Sequence, residues 1–192
     1  MLKLALRTLD RLEEILIASL MAAATLITFA AVLHRFLSTV GWLQDYVTRI
    51  DMTWAQELSI YMFIWVAKFG AAYGVRTGIH VGVDVLIKRL PPGPRRGVIT
   101  FALLCGALFT GVVGTLGAKL VWEIAQTDQV SADMEAPMWL VYLAIPCGSY
   151  LMCFRFLQVA WHFVRTGQLP SHDPTHIEGL EPAPTTPGAP GG

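Results

Sequence analysis

The 192-residue chain is poor in the groups from which most active sites are built. Its three cysteines, Cys105, Cys147 and Cys153, stand in apolar runs without the spacing of a metal-ligand set, so they read as small packing residues. Charged residues make up only 15% of the chain, and the formal net charge is zero. No basic tract offers a nucleic-acid surface, no glycine-rich loop cradles a phosphate, and no nucleophile stands beside a base. Internal repeats are also missing. These absences point away from an enzyme and from a nucleic-acid partner, and no cofactor is expected.

Apolar length is what the chain has. Hydrophobic residues form 54% of it, and the mean hydropathy is +0.53, too apolar for an ordinary soluble domain. Ile15 to Leu33, Gly97 to Ala118 and Ala136 to Phe154 carry no Asp, Glu, Lys or Arg. A fourth run, Thr53 to Val75, is interrupted only by Glu57 and Lys68. Each is long enough to cross a hydrocarbon core of about 30 Å at about 1.5 Å per helical residue. The expected fold is an all-α integral membrane protein of four transmembrane helices with additional amphipathic interfacial segments. Residues 1–166 form its membrane domain, and the Pro- and Gly-rich residues 167–192 read as a disordered tail.

Basic residues set the expected orientation. Lys3, Arg7 and Arg11 precede the first span, and Arg76, Lys88, Arg89, Arg95 and Arg96 lie between the second and third. The other connections are less basic, and the last carries Asp128, Asp133 and Glu135. Both termini and the middle connection are therefore placed in the cytoplasm. The first span is too long for a signal-peptide core and follows a mixed-charge segment containing Asp10, Glu13 and Glu14, so it reads as an uncleaved helix.

Local signals refine this layout. Leu2, Leu6, Leu9 and Leu12 share one side of an amphipathic segment that either extends the first helix or leads into it. Trp42, Leu43, Tyr46, Val47 and Ile50 recur at helical spacing, as in a short helix lying in the outer interface. Thr53 with Gln56 fits a capping box at the start of the second span. Pro91-Pro92-Gly93-Pro94 reads as a stiff turn. Pro137 suits the first turn of the fourth helix, and Pro146 should weaken or kink it. Gly106, Thr110, Gly114 and Ala118 form a small-residue stripe on the third span.

The residues with potential chemistry gather on the second span and its exit. Glu57 lies one turn inside, where it can complement the helix dipole or meet a cation or a neighbouring subunit. Lys68 shares nearly the same face, but about 16 Å of axial rise separates the two, which rules out a direct pair. Lys68 can snorkel toward the cytoplasmic interface or bind a backbone carbonyl or carboxylate on a partner, and Arg155 can reach the headgroups and meet anionic lipid or a partner carboxylate. Gly70, Gly74 and Gly78 would let another helix approach closely. His80 and Asp84, four apart, can anchor the helix end by hydrogen bonds, and two ligands do not make a metal site. A haem-bearing redox anchor is the alternative reading, but His34, His80 and His162 all lie near span ends, away from the membrane centre.

One run of residues resembles a known family. Trp54 and Glu57, then Tyr61 and Trp65, then Phe69-Gly70-Ala71-Ala72, then Arg76, Gly78, His80, Val81, Val83 and Asp84 follow the order seen in DctQ-like proteins. These are the small membrane subunits of tripartite ATP-independent periplasmic (TRAP) transporters. The similarity extends over about residues 10–165, but Lys68 and the C-terminal tail stand outside the pattern. The resemblance implies an inner-membrane accessory subunit of a secondary transporter that imports organic acids. It would work with a large multi-spanning permease, where sodium coupling would reside, and with a periplasmic substrate-binding protein. The candidate partner-interface or membrane-anchor residues are then Trp54, Glu57, Tyr61, Trp65, Lys68, Gly70, Gly74, Arg76, Gly78, His80, Asp84 and Arg155.

Overall fold

The computed structural model describes residues 2–77 and 92–167. Six helices are present among them: α1 (Leu2–Leu37), α2 (Gln44–Val47), α3 (Thr53–Thr77), α4 (Pro92–Ala125), α5 (Met138–Tyr142) and α6 (Ala144–Thr166). Four stretches are long and apolar enough to cross a membrane: Thr8–Leu37, Thr53–Thr77, Pro94–Ala125 and Met138–Thr166. Four spans put the two ends of the described chain on one side, here called the terminal side. The connections 38–52 and 126–137 lie on the opposite, loop side. Gly78, His80 and Asp84 fall outside the described residues, as does the tail from residue 168.

The charged segment before the first span is continuous with it, because nothing between Leu2 and Leu37 breaks a helix. The start of α3 is at Thr53, but its cap comes from outside the expected box. Asp51 Oδ1 accepts hydrogen bonds from the Thr53 amide (3.0 Å) and the Thr53 hydroxyl (2.9 Å). Pro92 and Pro94 do not form a separate turn. They begin α4, where the first N–H groups of a helix have no intrahelical acceptor and proline costs little. The fourth span breaks at Leu143, between α5 and α6. Pro146 has no N–H to offer the Tyr142 carbonyl one turn earlier, which accounts for the break.

The long helices pack as a row, with α1 against α3, α3 against α6, and α6 against α4. The row stays open, because α1 and α4 form its two edges. Small residues let the seams close. Between α3 and α6, Ala72 and Ala144 are fully buried, and a Cβ on Gly148 would lie 2.5 Å from the Lys68 Cβ. Between α4 and α6, Cβ atoms added to Gly106, Gly114 and Gly117 would come within 3 Å of Phe156, Tyr150 and Ile145 respectively. The stripe expected on the third span is therefore filled from within the chain. The α1–α3 seam is thinner, and includes the Thr28 hydroxyl donating to Ser59 Oγ at 3.1 Å. Such a bond between membrane helices contributes about 0.6 kcal/mol.

Candidate functional site

On the terminal side, five ionisable side chains from three helices converge. Asp10, Glu13 and Glu14 occupy successive positions on two turns of α1, where spacings of three and four place them along one side. Arg155 reaches them from α6. Its Nε and Nη2 donate to Glu13 Oε1 and Oε2 at 3.1 and 2.7 Å, a bidentate pair, and Nη2 also donates to Asp10 Oδ1 at 2.8 Å. Nη1 donates to Gln158 Oε1 at 2.8 Å. Arg155 is fully buried and Glu13 almost so. Arg76, at the end of α3, lies 2.8 Å from Asp10 as an ion pair and donates to Glu14 at 2.8 Å. Its guanidinium also sits over the Tyr73 ring at 4.9 Å.

This clasp gives Arg155 carboxylates from its own chain, in place of the lipid or partner acid that the sequence left open. Three carboxylates against two guanidinium groups leave a formal excess of one negative charge among the five side chains. Planar guanidinium groups suit such bridging, because each can satisfy several oxygens at once. Pairing Glu13 with Arg155 joins residues 142 positions apart. It ties α1 to α6 across the end of α3.

On the loop side, Glu57 holds a loop. Its Oε2 accepts the main-chain amides of Asp133 (2.9 Å) and Met134 (3.0 Å), and Oε1 accepts the Tyr61 hydroxyl one turn along α3. The loop is closed on itself by Ser131 N–H to Ala136 O at 2.9 Å and Met138 N–H to Gln129 O at 3.0 Å. Glu135 takes a left-handed backbone (φ 53°) to complete the turn. This arrangement leaves Asp128, Asp133 and Glu135 exposed. Trp54, at the same end of α3, donates its indole N–H to the Asp51 carbonyl at 3.1 Å. In the first loop only Val47 is buried, and its carbonyl is 2.9 Å from His34 Nε2. Trp42 and Tyr46 stay 81% and 75% exposed, so most of the expected apolar face finds no cover among the described residues.

Between these ends α3 has two unlike faces. One carries Tyr61, Trp65, Phe69 and Tyr73 at intervals of four, with Trp65 stacked on Phe69 at 5.7 Å. Tyr61 and Trp65 also line an apolar groove with Leu16, Leu20, Leu58 and Met62. Another face carries Phe63, Ala67, Gly70, Ala71 and Gly74. Cβ atoms added to Gly70 and Gly74 would meet nothing within 4 Å, so among the described residues no helix fills this stripe. Lys68 packs its Cβ on Gly148, yet its ammonium makes no hydrogen bond or ion pair with a described residue.

The two described histidines cannot form a haem pair, since His34 lies on the loop side and exposed His162 near the terminal side. Of the interactions above, the carboxylate clasp escaped sequence reasoning. Its signal was present: three acids border one span, and arginines sit late in two others that end on the same side.

Four apolar spans and helix seams lined by small residues define a multi-pass helical membrane protein with no catalytic constellation among the described residues. The model for the DctQ component of tripartite ATP-independent periplasmic transporters matches residues 24–166, and the chain belongs to that family. It is thus a TRAP transporter subunit of the bacterial inner membrane rather than an enzyme. The chain is 52% identical to the C4-dicarboxylate TRAP transporter small permease protein DctQ of Rhodobacter capsulatus, over 92% of its own length and 86% of the relative's. The corresponding Vibrio cholerae protein is 33% identical over 83% of this chain and 74% of its own. A third relative, the isethionate TRAP transporter permease protein DctMQ of Oleidesulfovibrio alaskensis, is 23% identical over 76% of this chain but only 22% of its own length.

Proposed function

We propose that this chain is a scaffold for a larger permease in a binding-protein-dependent importer of organic acids. The observation that carries the reading is the face of α3 around Gly70 and Gly74, which the described residues leave unfilled while they fill the glycine stripe of α4. An open row of four helices has no paired broken helices from which to build an alternating-access core. It has instead an edge and a face on which another membrane protein can rest. The match to one part of a much longer permease relative fits a small unit working beside a large one. In this reading both termini are cytoplasmic, the loop side is periplasmic, and substrate and sodium sites belong to the large subunit. The names of the two small-permease relatives favour C4-dicarboxylates as cargo.

The scaffold reading is tested with Gly74→Leu in cells that carry the whole transporter. Recovery of the complex and uptake should fall together, while the isolated small subunit remains folded. Unchanged recovery and uptake would reject α3 as the partner face. The exposed Trp42, Tyr46 and the Asp128–Glu135 loop are the proposed surface near the docked binding protein. Crosslinks from these positions to the large subunit alone, never to the binding protein, would reject that second element.

A further inference from the structure

Lys68 is a membrane-embedded cation for which the described chain supplies no counter-charge. The clasp shows how this protein handles such a group, since Arg76 and Arg155 are both matched by carboxylates. Lys68 and Arg76 are eight residues apart in α3, about 12 Å along its axis. The clasp marks the level at which polar groups collect on the terminal side. A lysine side chain reaches about 6 Å, so the Lys68 ammonium stops about 6 Å short of that level even when fully extended. Its root is packed against the neighbouring helix. The Lys68 Cβ and main chain are pressed on Gly148, where an added Cβ would lie 2.5 Å from the Lys68 Cβ and 3.3 Å from its Cα and carbonyl carbon. All three nearby acids of α1 are already engaged by arginine.

Charged groups inside a membrane are costly, and they are found facing protein and paired. Lys68 is half-buried, and its Cβ packs on Gly148 in the α3–α6 seam. We infer that the Lys68 ammonium is an assembly contact, completed by a carboxylate on a membrane helix of the larger permease. This rests on the scaffold reading above. It adds a second kind of contact to that reading: the open glycine face allows close approach of apolar helices, whereas Lys68 would select a partner by charge and fix its register along α3. A lipid phosphate could offer similar negative charge, but the depth of the ammonium favours a group carried into the membrane by a helix.

The test uses the complete transporter, with an affinity tag on the large permease and this chain carrying Lys68→Met, Lys68→Arg or Lys68→Glu. Methionine keeps the Cβ that packs on Gly148 and an unbranched stem of similar length. It should lower retention of the small subunit by at least about tenfold, as expected when a buried acid loses its counter-ion. Arginine should restore retention. The glutamate variant should be lost from the complex, then recovered when one intramembrane acid of the large subunit is changed to lysine. Each variant is also purified alone, and an unchanged melting midpoint assigns the loss to the contact rather than to folding. Wild-type retention by both the Met and Glu variants would overturn the inference. So would loss of a bound anionic phospholipid from the Met variant, seen by native mass spectrometry, with retention of the small subunit unchanged. Failure of the wild-type chain to be retained at all would overturn the scaffold reading itself, an outcome distinct from equal retention of wild type and variants.

Discussion

Arg155 and Lys68 lie on the same seam between α3 and α6, yet the first is completed by its own chain and the second finds no counter-charge among the described residues. Arg155 is fully buried and bound by Glu13, Asp10 and Gln158. Lys68, about 10 Å away along the seam, has only aliphatic packing on Gly148. The two glycine stripes divide in the same way: that of α4 receives Phe156 and Tyr150, and Gly70 and Gly74 of α3 receive nothing within 4 Å among the described residues. A charge or a glycine in a membrane span thus has no fixed meaning. What separates internal structure from an assembly surface is whether the chain itself supplies the complement.

The largest effect should come from breaking the completed cation. Arg155→Met leaves Glu13 buried without its bidentate partner, a loss of about 3–5 kcal/mol. The isolated subunit should show a lower melting midpoint and faster proteolysis near α1. Adding Glu13→Leu to Arg155→Met should restore part of the loss, because the orphaned carboxylate accounts for much of the cost. If the double variant is no better than the single, Asp10 and Gln158 carry more of the clasp than the distances suggest. Lys68→Met should leave the same midpoint unchanged, which sharpens the contrast between the two cations.

The glycines give the next largest difference. Gly148→Ala would place a methyl 2.5 Å from the Lys68 Cβ and 3.3 Å from its main chain, so α3 and α6 would have to separate. Overpacking of this kind costs about 1–3 kcal/mol. Gly74→Ala meets no neighbour, and the gain in helix propensity makes it neutral or stabilising by up to about 1 kcal/mol in the isolated subunit. Opposite signs in thermal unfolding would support the division into filled and open surfaces. Equal destabilisation would erase it.

Much of this organisation was readable from residue order alone, and the unreadable parts share a cause. Run length gave the four spans, and Pro146 gave the break in the last one, because both depend on near neighbours in sequence. Arg155 was visible as an intramembrane cation, but its acid lies 142 residues away. Asp10, Glu13 and Glu14 fitted equally well as the wet side of an amphipathic helix. Glu57 was visible too, whereas its partners are main-chain amides, which every residue except proline carries. The stripes on α3 and α4 have similar composition, and only the placement of α6 tells them apart.

Glu57 tests a gentler form of completion, in which a carboxylate holds backbone rather than a cation. Glu57→Gln keeps one acceptor oxygen for the Asp133 and Met134 amides but loses the charge that strengthens those bonds, and its amide nitrogen cannot accept from the Tyr61 hydroxyl. Hydrogen exchange should quicken across residues 131–136 with little change in the global midpoint. If the whole subunit is destabilised as much as by Gly148→Ala, the loop is part of the core rather than a piece latched onto it.

The smallest expected effect is at Asp51, on the water-exposed approach to α3. Hydrogen bonds from the Thr53 amide, then from its hydroxyl, hold the Asp51 carboxyl below its ordinary pKa. A depressed folded value means that the unfolded chain takes up a proton more readily, so the cap's contribution is fully present above the ordinary aspartate range of about pH 4. It falls away as pH drops through the lower folded value. Asp51→Asn removes the titration and keeps an acceptor for the amide. The wild-type midpoint minus that of the Asn variant should therefore be constant above about pH 5 and shrink on further acidification. A difference that instead grew with acid would mean that Asp51 is not the group capping α3. Lys68 and the clasp should not contribute to this difference, because both chains carry them unchanged.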